Sequence, residues 1–199
     1  MFYGLGIEDY AQEAYEQPSK RETRVDGRRY NPNLSTEDIA VYENGGDKRV
    51  VVAMRGTSKL SDLNPDVGIA INRYKHTNRY RSDKEQLQKI IDKYGKENIR
   101  LTGHSLGGKS ASTLGKEYGI QTDSFSTGAT PIQMGGDIVN RIGCMISPNR
   151  TECQNSKNIT HHIIGNDPIS LWNMFKPNVI YHKQKKLNPH ALSNFDNIA

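Results

Sequence analysis

Cysteine is scarce in this sequence of 199 residues, which contains only two. Cys144 and Cys153 lie close together in a polar stretch, and a disulfide closing so short a loop would contribute only about 2–3 kcal/mol in the chain-entropy model. A chain of this length buries roughly 70% of the surface that its unfolded form exposes. We therefore expect the fold to depend on a packed core, and the cysteine pair does not assign a redox compartment.

Long apolar runs are also missing. No window approaches the ~18 consecutive apolar residues of a membrane span. The first ten residues have neither the basic region nor the apolar core of a secretory signal. We expect no membrane span and no signal peptide, and a location that is cytoplasmic or else unassigned.

Metal and nucleotide motifs are absent as well. The cysteines and histidines lack the spacing of a zinc site, and the glycine-rich segment at residues 103–108 lacks the Gly-Lys-Ser/Thr ending of a phosphate-binding loop. We expect no metal and no cofactor.

The net charge of +5 favours anionic partners. Basic stretches at residues 73–81 and 183–186 could attract an anionic membrane surface at about 1 kcal/mol per nearby cation. An ordinary solvated face is the simpler interpretation. Because no nucleic-acid-binding motif is present, no specific nucleic acid is expected.

Helical and extended patterns alternate along the chain. Residues 39–43 and 49–54 are β-rich runs separated by Asn-Gly-Gly-Asp, which favours a hairpin. A capping box at residues 82–85 predicts the start of a helix that ends at Gly95. Further strands are predicted at residues 98–102, 120–127, 159–164 and 178–182, further helices at 8–16 and from 109 to 118, and a loop at 20–29. This alternation predicts one α/β domain over residues 1–199, with a mostly parallel central sheet flanked by helices.

The Gly-His-Ser-Leu-Gly motif at residues 103–107 lies between a predicted strand and a predicted helix. This context is typical of a nucleophile elbow, in which glycines permit a strained turn and the serine is exposed above the sheet. Ser105 is the candidate nucleophile. The N–H of Leu106, at the helix N-terminus, is a candidate donor to an oxyanion. The alternative is a glycine-rich turn with a bystander serine.

In this fold the catalytic acid and then the histidine follow the nucleophile. The downstream candidates are Asp123, Asp137 and Asp167, and His161, His162, His182 and His190. Asp167 follows an apolar strand at a turn, where functional loop residues lie, and is the preferred acid. His182 lies inside a strand-like run and His190 in a loop, so His190 is the preferred base. The alternatives are a turn-capping aspartate and an exposed loop histidine.

The segments at residues 50–57, 103–108, 163–168 and 190–195 resemble those of the class 3, fungal-lipase-like family of α/β-hydrolases. The resemblance extends from about residue 40 to residue 195. It implies that Thr57 is the second oxyanion donor and that Asp66 steadies it, although Leu63 stands where the family usually has Trp. His104, directly before the nucleophile, is expected to support the site.

Family members carry a lid with an apolar underside after the oxyanion turn. Residues 58–81 are polar at both ends here, so we expect a compact domain with a small or absent lid. The apolar run at residues 169–175 could line an acyl site or pack in the core.

These features predict a serine-dependent lipase or esterase that hydrolyses acylglycerol or phospholipid esters through Ser105, His190 and Asp167. Contact with an anionic membrane surface would be peripheral. The alternative is a catalytically idle hydrolase-fold module that binds anionic surfaces or nucleic acid. Thioester or peptide cleavage by the same triad also stays open, since a triad does not fix the leaving group.

Overall fold

One eight-stranded sheet organises the protein, and its strands are ordered in space as they are in sequence. The computed structural model describes residues 6–57, 73–127, 131–168, 170, 173, 174 and 176–196. The strands are β1 (Arg24–Val25), β2 (Arg28–Tyr30), β3 (Ile39–Glu43), β4 (Val50–Met54), β5 (Ile99–His104), β6 (Gln121–Phe125), β7 (Ile159–Ile164) and β8 (Val179–His182). The α-helices are α1 (Ile7–Glu13), α2 (Asn78–Tyr94), α3 (Leu106–Tyr118), α4 (Pro131–Ile146) and α5 (Thr151–Ser156). Single 3₁₀ turns lie at Tyr74–His76, Lys96–Asn98 and Leu192–Phe195.

Strand direction divides the sheet into two parts. Strands β1 to β4 pair antiparallel, and β4 to β8 pair parallel. In the parallel part, Met54 is opposite Gly103 and His104 is opposite Phe125, so the carboxyl ends of β4, β5 and β6 meet at one edge. The predicted α/β-hydrolase fold and the hairpin between β3 and β4 are confirmed. This edge is where a ligand site is expected in an open α/β sheet.

Both faces of the sheet are covered. Alternate residues of β3 show this, because Ala40 and Tyr42 belong to the cluster under α1, whereas Ile39 and Val41 belong to the cluster under α2 and α3. The two-residue period of a strand places successive side chains on opposite faces. Ile90 of α2 is fully buried, and truncating such a side chain to alanine costs about 2–5 kcal/mol.

The prediction of a loop at residues 20–29 is wrong, because β1 and most of β2 lie in this range and form a hairpin. Asp26 and Gly27 join the two strands with φ values of 45° and 75°. Two consecutive positive φ angles match the right-handed twist of a hairpin, and Asp-Gly is a favoured pair for this turn. The local signal was therefore present in the sequence.

Helix α2 starts four residues before the predicted capping box. Its N-cap is Thr77, whose side chain accepts the N–H of Tyr80 at 3.1 Å. Inside the first turns, Arg79 forms an ion pair with Asp83 at 3.0 Å. This interaction requires helical geometry before Ser82, so the earlier cap is the one used.

Helices α4 and α5, between β6 and β7, were not predicted. A disulfide between Cys144 and Cys153 joins them. Within the described part of the chain, no helix combines the length and apolar character needed to cross a membrane.

Candidate active site

The turn at Ser105 connects β5 to α3. Its φ and ψ are 57° and −121°, values that a residue other than glycine rarely adopts. Close packing around the turn requires the flanking glycines: a Cβ on Gly103 would meet the backbone of Gly107 at 2.5 Å, and a Cβ on Gly107 would collide with the carbonyl of Met54. The backbone therefore has the sharp, strained shape of a nucleophile elbow.

The Ser105 hydroxyl lies in this elbow without a described partner. Its Oγ is buried and makes no hydrogen bond to any residue that the structure describes. By contrast, the backbone N–H of Ser105 donates to the carbonyl of Phe125 at 3.0 Å. The backbone is thus fixed while the side-chain oxygen is left available.

His190 and Asp167 form a buried pair. Their Nδ1 and Oδ2 atoms are 2.8 Å apart, and the two side chains are 1% and 0% exposed. An ionised carboxylate only accepts hydrogen bonds, so Nδ1 carries the hydrogen and Nε2 keeps its lone pair. That Nε2 is buried and has no hydrogen-bond partner among the described residues. The structure brings the two predicted residues together, and an ionised Asp167 would favour the tautomer that a general base requires.

His104 contacts the backbone of His190, the predicted base. Its Nε2 lies 2.8 Å from the carbonyl oxygen of His190, and its Nδ1 lies 2.8 Å from the hydroxyl of Tyr15. Because a carbonyl only accepts, Nε2 donates and Nδ1 accepts from Tyr15. Burial, followed by the neighbouring His190, lowers the pKa of His104 to about 3, so its ring is neutral at ordinary pH. These contacts place His104 against the backbone of His190, and its supporting role stays a prediction.

Asn194 organises the loop that carries His190, and sequence reasoning gave it no role. Its side chain is fully buried, and its Nδ2 donates to the carbonyls of Asn188 and Ala191 at 2.8 and 3.1 Å. Its Oδ1 accepts the N–H groups of Lys185 and Lys186, each at 2.7 Å. Asn194 lies inside the 190–195 segment, four residues after His190. Its position in this segment is the sequence feature that could have indicated a role.

Two donors can face an oxyanion near Ser105. Leu106 is the first residue of α3, so its N–H has no acceptor within the helix. Thr57 follows β4, the strand beside β5, and its Oγ1 is buried without a hydrogen-bond partner in the described ranges. Asp66 and the rest of residues 58–72 lie outside the described residues, so the roles assigned to Asp66 and to a lid stay predictions.

Three of the candidates that were not preferred, Asp123, His162 and His182, belong to a separate network. Asp123 contacts Arg100 at 2.7 Å and His162 at 3.2 Å. His162 in turn contacts His182, with 3.0 Å between Nδ1 and Nε2. Burial tends to raise the pKa of Asp123, but hydrogen bonds from His162 and Arg100 outweigh it and lower the pKa below its usual value.

Two other segments had a predicted surface role, and the first of them is only partly described. In the apolar run at residues 169–175, the structure describes Ser170, Asn173 and Met174, of which the two polar residues are buried. The acyl-lining role of that run stays a prediction. In the basic stretch at residues 73–81, Arg79 pairs with Asp38 and Asp83 at 3.0 Å each, so this cation is engaged within the protein.

Comparisons with known proteins agree with this architecture. The model of a phospholipase-like family, the Tle-like phospholipase domain, matches residues 11–133. The Lip2 lipase from Yarrowia lipolytica is 16% identical with a TM-score of 0.54, over 94% of this chain and 81% of that one. An MDLA variant from Penicillium cyclopium is 15% identical with a TM-score of 0.52, over 96% of this chain and 82% of that one. No curated protein matches.

The sheet, its flanking helices and the solved structures define an α/β-hydrolase fold, and together with the family match they confirm the fungal-lipase-like resemblance. The chain belongs to the Tle-like phospholipase family, because the matched residues make up more than half of it. Membership supports an ester hydrolase of the lipase or phospholipase type.

Proposed function

We propose that the protein is a serine hydrolase that cleaves acyl esters of phospholipids or acylglycerols through Ser105, His190 and Asp167. One observation carries the proposal: Ser105 Oγ and His190 Nε2 are both buried without a hydrogen-bond partner in the described part of the chain, while Asp167 orients the ring of His190. Leaving a polar atom buried without a partner costs about 1–3 kcal/mol. Such atoms call for an explanation, and a catalytic role supplies one.

In the acylation step, His190 Nε2 takes the hydroxyl proton while Ser105 Oγ attacks the ester carbonyl carbon. The carbonyl oxygen becomes an oxyanion that the N–H groups of Leu106 and Thr57 can bind, with the hydroxyl of Thr57 as a third donor. Asp167 stabilises the resulting imidazolium. The bond between the carbonyl carbon and the alcohol oxygen then breaks, and His190 returns the proton to the departing alcohol.

Deacylation repeats this sequence with water. His190 accepts a proton from the water molecule, whose oxygen attacks the acyl carbon bound to Ser105. When the tetrahedral intermediate collapses, the bond to Ser105 Oγ breaks and His190 reprotonates that oxygen. The products are a carboxylic acid and the regenerated serine.

Access to this centre requires movement. Ser105 is 0% exposed and His190 1% exposed, so a long acyl ester reaches them only after the surrounding chain opens. Opening steps of this kind limit turnover in many enzymes. We expect substrate length and presentation to affect the rate as well as the affinity.

A fluorophosphonate probe and p-nitrophenyl esters of short and long chains test the proposal together. Labelling and turnover should disappear in Ser105→Ala and His190→Ala, and persist in the matched control His76→Ala, which alters an exposed histidine. Phospholipid and acylglycerol substrates then identify the preferred ester.

Two outcomes would contradict the proposal. A folded wild-type protein that neither reacts with the probe nor turns over any ester would indicate the idle binding module. Labelling without ester turnover would instead direct attention to thioester or peptide substrates.

A further inference from the structure

A polar cavity of about 250 Å³ lies among α3, α4, α5 and β7. We call it the basic cavity. Its charged lining consists of Lys75, Lys109, Lys116, Lys176, Asp137 and Glu152. Lysines therefore outnumber carboxylates in the lining, and the cavity is suited to an anion.

Internal pairing accounts for only part of this charge. Lys116 forms an ion pair with Glu152 at 2.7 Å. Within the described ranges, the ammonium groups of Lys109 and Lys176 make neither a hydrogen bond nor an ion pair, although both side chains are only partly exposed. Asp137 exerts an attractive field on both lysines, yet its Oδ2 is buried and has no hydrogen-bond partner among the described residues.

Holding these cations together is unfavourable. Burial and then the charge of Lys109 lower the pKa of Lys176 to about 7, with Asp137 acting in the opposite direction. Burial likewise lowers the pKa of Lys109, even though Asp137 tends to raise it. His161 also lines the cavity, and burial keeps its pKa well below the usual value, so that ring is neutral and adds no further positive charge. An anion between the two ammonium groups would relieve this unfavourable arrangement.

We propose that the basic cavity binds a phosphoryl group, with Lys109 and Lys176 as its cationic ligands. Lysine is a compact point charge that suits phosphate oxygens. Thr113 lines the same cavity and places a hydroxyl donor near such a group, whereas the hydroxyl of Ser112 already donates to the carbonyl of Lys109 at 3.2 Å. A phosphoryl group matches this set because its several oxygens can accept from two ammonium groups and a hydroxyl at once.

The site lies close to the elbow in sequence and in space. Lys109 is one helical turn beyond the nucleophile, and its backbone N–H donates to the carbonyl of Ser105 at 3.0 Å. A lipid headgroup and free phosphate both carry a phosphoryl group. The nearby elbow makes a lipid headgroup one candidate source, free phosphate is the other, and the two sources require different probes.

Calorimetric titration of the Ser105→Ala protein tests this inference without hydrolysis of the probe. Inorganic phosphate represents the free anion, and glycerophosphoglycerol represents a headgroup diester. We expect saturable binding of at least one probe, weakened about tenfold or more in Lys109→Gln and in Lys176→Gln, as expected for loss of a charge-assisted hydrogen bond. The matched control Lys96→Gln, at an exposed lysine outside the cavity, should bind as the parent does.

A gain in affinity provides a second test that misfolding cannot imitate. Asp137→Asn removes the carboxylate that competes with the anion, so binding should tighten severalfold. The relative affinity of the two probes identifies the source of the phosphoryl group. If glycerophosphoglycerol binds more tightly than inorganic phosphate, the ligand is a lipid headgroup; if inorganic phosphate binds more tightly, the ligand is the free anion. Absence of saturable binding by either probe, or equal affinity in the Lys176→Gln and Lys96→Gln proteins, would overturn the inference while leaving the proposed ester hydrolysis intact.

Discussion

Two histidine–aspartate pairs lie on the parallel part of the sheet, and they differ in what surrounds them. In the first, His190 contacts Asp167 at 2.8 Å and its other ring nitrogen has no described partner. In the second, His162 contacts Asp123 at 3.2 Å, and its other nitrogen contacts His182 at 3.0 Å. The same two residue types therefore form an open pair and a closed one.

The difference is the basis for proposing a catalytic role for the first pair and a structural role for the second. Arg100 also binds Asp123, and the ring of His162 stacks on Phe125 with 4.6 Å between centroids, so the second pair is fixed on several sides. The first pair is fixed on one side, by the carboxylate and by the backbone contact from His104, while Nε2 of His190 is buried and has no hydrogen-bond partner among the described residues. The available Nε2, more than the presence of an aspartate, is the reason that we propose His190 as the base.

Removing each histidine should give the largest contrast. His190→Ala deletes the proposed general base, and comparable triads lose on the order of 10⁶ in kcat when the base is removed. His162→Ala should leave kcat close to that of the wild type, because its ring does not take part in the proton transfers. Ester hydrolysis under saturating substrate measures both, and similar losses in the two variants would remove the distinction between the pairs.

Replacing each aspartate with asparagine tests the same comparison through the tautomer. Asp167→Asn should lower kcat by about 10⁴, since an amide no longer holds the Nδ1–H form of His190. Asp123→Asn should have little effect on kcat. Circular dichroism shows whether both variants are folded, and a folded Asp167→Asn protein with normal turnover would contradict the assigned acid.

Asp123→Asn, which should have little effect on kcat, should lower the free energy of unfolding. Asp123→Asn removes the carboxylate beside the partly buried Arg100, and breaking such a pair costs about 3 kcal/mol or more in unfolding free energy. Because the pKa of Asp123 is lowered in the folded protein, its contribution is present above the unfolded-state pKa of about 3.9 and is lost as the pH falls through the lower folded value. Urea unfolding at pH 7 and at pH 3 should therefore show a large difference from wild type at neutral pH and a smaller one in acid. A pH-independent difference would argue against an ionised Asp123.

The smallest effect should come from Tyr15, which is linked to His190 through His104. Tyr15→Phe removes the hydroxyl that donates to His104 Nδ1 and leaves a buried acceptor unsatisfied, at a cost of about 1–3 kcal/mol in stability. A shift of the His190 backbone should also lower kcat modestly with little change in KM, whereas a purely structural role would leave kcat unchanged. Paired unfolding and kinetic measurements distinguish these results.

The sequence predicted what depends on local pattern. The glycines around Ser105 indicate a tight turn with close backbone packing, and the Asn-Gly-Gly-Asp segment between two β-rich runs indicates the hairpin of β3 and β4. The order of acid and base selected Asp167 and His190 from their alternatives, although the catalytic roles of both stay predictions. The elbow and the hairpin are each encoded within a few neighbouring residues, whereas the acid and the base were selected by their order along the chain.

Long-range contacts were beyond that reach. Tyr15 and His104 are separated by 89 positions, and no periodicity relates them. Local competition caused a different error at α2, where Ser82 and Thr77 both resemble caps and the ion pair between Arg79 and Asp83 favours the earlier one. The missed hairpin of β1 and β2 was a local Asp-Gly signal that received too little weight.

Peptide mapping after fluorophosphonate labelling tests the central claim most directly, because it identifies the reactive residue and reports its activation in the same experiment. The account predicts a single adduct on Ser105, formed at nearly the wild-type rate in Asp123→Asn and much more slowly in Asp167→Asn. An adduct on another residue, or equal labelling rates in the two aspartate variants, would contradict it.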